Sequence, residues 1–139
     1  MDELLLPQFL EKALKEAKEF KEKGDIRQSC EKLYSVVESL IKILAEKENV
    51  EAYQEAISGG GWNTPLLGKA AAELDEKYSK DKNFENLLKL TWNTAYVLHR
   101  EGFHENRITI EDFENDYKII MKNLPKIALK AGIKLKIEP

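Results

Sequence analysis

Hydrophobic residues recur at helical spacing along most of the chain, and this period predicts a fold built from α-helices. A first helix is predicted from Pro7 to Lys23, and a second from Ile26 to about Glu46. The connection between them is very short, which predicts an antiparallel hairpin of two helices. The inward stripe predicted for the first helix consists of Phe9, Ala13, Ala17 and Phe20.

Capping residues mark where the next helices begin. Asp25 is predicted to cap the second helix, and Asn49 to cap a short third helix over residues 50–57. Thr64, which is followed by a proline, is predicted to cap a fourth helix that runs to about Tyr78.

Two longer segments complete the helical pattern. Asp81 or Asn83 is predicted to cap a long helix over residues 84–106. Thr109 is predicted to open the last helix, in which Pro125 would produce a kink or an end.

The end of the chain has a different pattern, because residues 133–137 alternate apolar and basic side chains. Such a segment is too short to form a sheet alone, so residues 133–139 are predicted to be an extended tail on the bundle or on a partner chain. No internal repeat or low-complexity tract divides the sequence. We therefore predict one all-α domain, residues 1–139, folded as an up-and-down antiparallel bundle of four main helices with one or two short ones.

The long helix has two apolar faces when its residues are placed 100° apart. A helix that is apolar on opposite sides must be covered on both, and in a small bundle the second cover is often a copy of the same helix. We therefore predict a homodimer through Leu90 and Val97. The first face comprises Leu88, Trp92, Ala95, Tyr96, His99 and Phe103, and the second comprises Leu87, Leu90, Thr94 and Val97.

A polar strip between these faces carries the candidate chemistry. Arg100 and His104 are one helical turn apart, and Arg107 follows at a spacing of three, so the three side chains could face one anionic group. Together with Asn93 they form the predicted binding set. His104 and Arg100 are also the candidate catalytic residues, and His99 is a further one because histidine exchanges protons near neutral pH.

Each of these residues also has a purely structural interpretation. His99 lies on the apolar stripe and could be a buried histidine with satisfied ring nitrogens. His104 could be a solvated histidine near a helix end, with neighbouring glutamates that neutralise the strip. Gly102 is costly inside a helix, which indicates either close approach of another backbone or the beginning of the helix end.

Composition restricts the classes of function. The chain has 139 residues, 34% of them charged, and a formal net charge of -3, which argues against a broadly basic nucleic-acid binder and leaves only a local patch. The charged residues are mainly Lys and Glu, as is common in thermophile proteins. The one cysteine, Cys30, is predicted to be a buried residue in a reducing compartment.

Several classes of site and location are not expected. One cysteine and two histidines nearly exclude a structural zinc site, and no metal or cofactor is predicted. The acidic N-terminus lacks the basic region of a signal peptide, and no apolar run approaches the length of a membrane span. A cytoplasmic protein without membrane contact is therefore predicted.

Three stretches of the sequence resemble the archaeal PaREP proteins over about residues 8 to 128. They are residues 28–34 at the start of the second helix, Gly61-Trp62 before the middle helix, and above all residues 92–107, with Leu98-His99 and Gly102-Phe103-His104-Glu105. Those proteins are similar to the HEPN superfamily of small helical bundles, which usually pair as dimers. The resemblance thus implies a HEPN-like dimer.

The resemblance also implies candidate functions. HEPN members include ribonucleases of toxin–antitoxin pairs, often partnered with a nucleotidyltransferase, and members without evident catalysis. The ribonucleases cut RNA without metal and use an arginine and a histidine separated by four to six residues, whereas Arg100 and His104 are separated by three. We therefore expect a dimeric module that binds a nucleotide, RNA or protein partner. The alternatives are a metal-independent endoribonuclease and a structural subunit of a larger assembly.

Overall fold

The computed structural model describes residues 6–136, and within this range the secondary structure is helical with no strand. Six α-helices, a short 3-10 turn and a π-helix follow one another along the chain. They are α1 (Leu6–Glu22), α2 (Ile26–Glu48), α3 (Glu51–Ser58), α4 (Thr64–Lys77), the 3-10 turn (Lys82–Phe84), α5 (Leu87–Val97), the π-helix (Leu98–His104) and α6 (Ile110–Lys130). The predicted all-helical class is confirmed, and none of these helices is both long and apolar enough to cross a membrane.

Helix α2 is the centre of the molecule, because it contacts every other α-helix and the π-helix. Its inward side chains are fully buried, from Cys30 near its start to Leu44 near its end. The stripe predicted for the first helix is partly wrong. Phe9 is exposed, and Leu10 and Leu14 are buried with Ala13 and Ala17 instead.

The caps explain where most helices begin. The carboxylate of Asp25 accepts a hydrogen bond from the backbone N of Gln28, and the hydroxyl of Thr109 accepts one from Asp112 N, as predicted. Asn49 does not cap α3. It adopts a left-handed conformation (φ 51°) that ends α2, which is a common role for asparagine.

The cap of α4 is also shifted by one residue. Asn63 rather than Thr64 is the N-cap, and its side chain accepts a hydrogen bond from the backbone N of Leu66 at 2.9 Å. Thr64 is instead the first residue of the helix.

The predicted long helix over residues 84–106 is correct only in part. The helical run begins at Leu87, after a separate 3-10 turn, and it changes from α5 to the π-helix at Leu98. Asp81 caps only the 3-10 turn, and the first turn of α5 is capped from α4. The buried carboxylate of Asp75 accepts hydrogen bonds at 2.8 Å from the backbone N of Leu88 and of Lys89. Periodicity along one segment cannot reveal a cap that comes from another helix.

The C-terminal part differs less from expectation. Helix α6 continues through Pro125 to Lys130, so the proline does not end it. Beyond Gly132 the chain has no regular secondary structure up to residue 136. Ile133 and Leu135 are buried against the core, while Lys134 and Lys136 are exposed. The predicted tail therefore packs on the helical core through Ile133 and Leu135. Residues 137–139 lie outside the described range, as does the acidic N-terminus.

Candidate functional site

The π-helix is the local feature that builds the site. Its backbone bonds span five residues, as shown by Glu105 N donating to Arg100 O at 2.9 Å. Gly102 lies in this segment and packs directly on Cys30 of α2. A Cβ at position 102 would overlap the Cys30 Sγ and lie 3.0 Å from the Cys30 Cβ. The predicted close approach at Gly102 is therefore present, and it is made by a side chain rather than by a backbone.

The π-helix brings the two histidines together. On an α-helical wheel His99 and His104 are about 140° apart, which places one on the apolar face and the other on the polar strip. A π-helical turn aligns residues five apart, and the Nε2 atoms of the two imidazoles are 3.0 Å from each other. The rings are nearly perpendicular. The predicted candidates thus form a pair that no α-helical pattern would produce.

His99 is held on its other sides by α2 and by its own segment. Its ring stacks on Tyr34 at 4.0 Å between centroids and on Phe103 at 6.1 Å. Its Nδ1 atom lies 3.3 Å from the Glu31 carboxylate. Because the His99 side chain is 21% exposed, it combines a packed ring with access to solvent. Both ring nitrogens have partners, as the structural interpretation of this residue required.

The hydrogen bonds restrict where protons can reside in the pair. A bond between two imidazole nitrogens needs one N–H and one lone pair. A carboxylate only accepts, so Glu31 favours the proton on Nδ1 of His99. Either a neutral His99 then accepts from His104, or a protonated His99 donates to a neutral His104. In both arrangements one proton lies between the two Nε2 atoms.

Arg100 lies beside this pair. An open pocket of about 340 Å³ is lined by Thr64, Tyr96, His99, Arg100, His104 and Glu105. The side chains of Arg100 and His104 are exposed. Within residues 6–136 the Arg100 guanidinium makes no side-chain hydrogen bond, so its donors are available to a ligand. Arg100 and the two histidines, three of the predicted site residues, therefore share one cavity.

The other two predicted residues, Asn93 and Arg107, lie apart. They line a second pocket of about 430 Å³ between α5, the π-helix and α6. The Arg107 guanidinium is paired with the Glu101 carboxylate, with an Nη2–Oε1 distance of 2.9 Å. This hydrogen bond is the main cause that lowers the pKa of Glu101. The continuous strip predicted from the sequence is thus divided, and Arg107 is already neutralised.

Two residues of α2 that the sequence did not indicate support the site. Glu31 orients His99, as described above, and Arg27 holds the π-helix. The Arg27 Nε donates to the Phe103 carbonyl at 2.7 Å, and its guanidinium lies 4.9 Å from the centre of the Phe103 ring. These residues precede the π-helix by about 70 positions in the chain, so only the tertiary fold reveals their role.

The second apolar face is only partly covered in the single chain. Leu90 is 50% exposed and Val97 is 44% exposed, whereas Leu87 and Thr94 on the same face are buried. The core covers Leu87 and Thr94, and Leu90 and Val97 form an apolar area that remains exposed. The homodimer stays a prediction.

Together the fold and the site define an all-helical protein with a histidine pair and an arginine around one open pocket. The model of the archaeal PaREP1/PaREP8 family matches residues 8–124, and the chain belongs to this family. The predicted PaREP membership is thereby confirmed.

Solved structures support the fold. A crystal structure of a protein from Sulfolobus solfataricus is 29% identical, with a TM-score of 0.69, and the match covers 88% of this chain and 95% of that one. A solution structure of the same structural-genomics target is 28% identical, with a TM-score of 0.68, covering 88% of this chain and 90% of that one. No curated protein matches the chain.

Proposed function

We propose that this protein is a HEPN-like homodimeric module that binds a phosphate group of RNA or of a nucleotide at His99, Arg100 and His104. The observation that carries the proposal is that one open pocket is lined by a guanidinium with free donors and by a hydrogen-bonded pair of histidines. These are donor groups that bind phosphate oxygens well.

Charge distinguishes this pocket from the second one, because its arginine is unpaired among the described residues. The chain as a whole is acidic, with a formal net charge of -3, so a polyanion would be attracted only where positive groups gather. Glu105 is the one carboxylate among the residues that line the pocket, and Glu31 is directed at His99. In the second pocket Arg107 is paired with Glu101, and Asp112 and Asp116 add negative charge.

The dimer rests on the uncovered part of the second apolar face. Leu90 and Val97 are large hydrophobic residues that are about half exposed in the single chain. A second copy related by a two-fold axis would cover both side chains, since the same face would meet itself.

The binding experiment compares two arginines that are seven residues apart. A short single-stranded RNA with a fluorescent label is titrated with the protein at low salt, and AMP is titrated in parallel by calorimetry. Arg100→Gln is expected to weaken binding at least about tenfold, which corresponds to about 1.4 kcal/mol. The matched control Arg107→Gln should bind like wild type, because Arg107 is already paired with Glu101. Equal effects of the two variants, or no binding by wild type, would refute the proposed site.

A metal-independent ribonuclease is the second candidate, and the 3.0 Å contact between the two Nε2 atoms favours it. Cleavage next to a ribose 2′-hydroxyl needs a base for that proton and an acid for the leaving oxygen. His104 would take the hydroxyl proton, His99 would supply the second proton, and Arg100 would stabilise the charge on phosphorus.

The test for this activity is RNA cleavage with EDTA present. Wild type should cut, and His99→Asn and His104→Asn should each abolish cutting. RNA that binds the protein but is not cut would exclude the nuclease activity and would remain consistent with the binding function.

A further inference from the structure

We infer that His99 and His104 form an open chelating site for a divalent ion of the late first transition series, such as Zn²⁺. This inference is independent of the proposed RNA function, because it depends only on the geometry of the two imidazoles. The ion would take the place of the proton between the two nitrogens. That proton would pass to water or to the other ring nitrogen of His104.

The spacing of the nitrogens suits one ion. Zinc binds imidazole nitrogen at about 2.0–2.1 Å in a tetrahedral arrangement, so two such ligands lie about 3.3 Å apart. The observed Nε2–Nε2 distance is 3.0 Å. His104, whose side chain is exposed, would rotate so that its Nε2 lone pair is directed at the ion and not at His99.

Glu31 provides His99 with the carboxylate partner that is typical of a histidine bound to a metal. Histidines that bind metals usually donate their second ring N–H to a carboxylate, which fixes the ring and leaves the other nitrogen free for the ion. The Glu31 carboxylate lies 3.3 Å from Nδ1 of His99, on the side opposite His104. Stacking on Tyr34 and Phe103 holds the same ring in place.

The site is open rather than closed. Within residues 6–136 no three His, Cys, Asp or Glu side chains converge in a way that could hold a metal ion. The two histidines would therefore be the protein ligands, and water or a small anion would fill the remaining positions. Such a site binds and exchanges an ion without contributing to the fold, in contrast to a closed structural zinc site.

The experiment titrates the full chain with ZnCl₂ by calorimetry in a buffer that does not bind zinc. We expect one ion per chain. His104→Asn should weaken binding at least tenfold, and Glu31→Gln should weaken it by about 10–100-fold through the orientation of His99. Circular dichroism checks that each variant is folded, and the exposed position of His104 makes its variant the safest one.

Several results would overturn the inference. Zinc binding that is unchanged in His104→Asn would place the ion elsewhere. A stoichiometry of one ion per two chains would show that the ion bridges two copies and is not chelated within one chain. A wild type that binds no zinc below millimolar concentration would remove the site. Arg100→Gln separates this inference from the proposed function, because it should weaken RNA binding and leave zinc binding unchanged; loss of zinc binding in this variant would also overturn the inference.

Discussion

Replacing Gly102 by alanine tests whether close packing on Cys30 determines the π-helix. The added Cβ would overlap the Cys30 Sγ and lie 3.0 Å from its Cβ, in a part of the core where Cys30 is fully buried. Overpacking of this kind costs about 1–3 kcal/mol. The higher helix propensity of alanine returns at most about 1 kcal/mol. Because the overlap involves a buried atom between two helices, we expect the upper end of the overpacking range, and therefore a net loss of about 2 kcal/mol.

The assay is unfolding in guanidinium chloride, followed by circular dichroism at 222 nm and analysed by linear extrapolation. Gly68→Ala in α4 is the matched control, because its nearest contacts are 3.3 Å away, at Lys89 Nζ and Trp92 Nε1. The flexible end of the Lys89 side chain can move aside, and the Trp92 ring needs a shift of only a few tenths of an ångström, so this variant should stay within about 1 kcal/mol of wild type.

A double-mutant cycle identifies the partner of the clash. Combining Gly102→Ala with Cys30→Ala removes the sulfur but keeps the Cβ–Cβ approach of 3.0 Å, so the rescue should be partial. We expect a coupling energy of at least about 1 kcal/mol. A Gly102→Ala protein as stable as wild type, or a coupling energy near zero, would show that this contact does not restrict the segment.

Three further predictions address the core, the dimer and the thiol. Trp92→Ala should cost about 3–5 kcal/mol of unfolding free energy, because Trp92 is only 3% exposed, and an unchanged melting curve would contradict its place in the core. Val97→Glu should split the predicted dimer in sedimentation experiments, because an unpaired charge in an interface costs several kcal/mol. Ile57→Glu, at an exposed position of α3, should leave the dimer intact. A wild type that is monomeric at tens of micromolar would refute the dimer. Burial raises the pKa of the Cys30 thiol to about 12, so a thiol reagent at pH 8 should react only after denaturant is added, and rapid reaction of the native protein would be incompatible with this burial.

The helical class and most helix limits follow from local patterns, and the places where prediction fails share one cause. Asp25 and Thr109 cap the helices that they directly precede, so the sequence near them is sufficient. The start of α5 depends on Asp75, more than ten residues earlier in the chain. A wheel of 100° per residue assumes α-helical geometry, and it therefore separates His99 from His104, which the π-helix joins.

The candidate site was predicted only in part, because some of its residues are likewise brought in from distant segments of the chain. Residue type alone indicated His99, Arg100 and His104, because the histidines and a neighbouring arginine are scarce in this chain. Glu31 belongs to a helix whose surface carries several other glutamates, so nothing in the sequence distinguishes it. The glycine at position 102 was the one local signal of an irregular helix, and the structure explains it by the packing of Cys30.

His99, Arg100 and His104 are proposed to bind one phosphate group together. The most direct measurement is the NMR signals of the imidazole nitrogens during a titration with short single-stranded RNA, since the chain has two histidines and each is assigned by a single substitution. We expect the signals of both histidines to shift along one binding curve, and Arg100→Gln to move this curve to higher RNA concentration. RNA that binds while both histidine signals stay unchanged would contradict it.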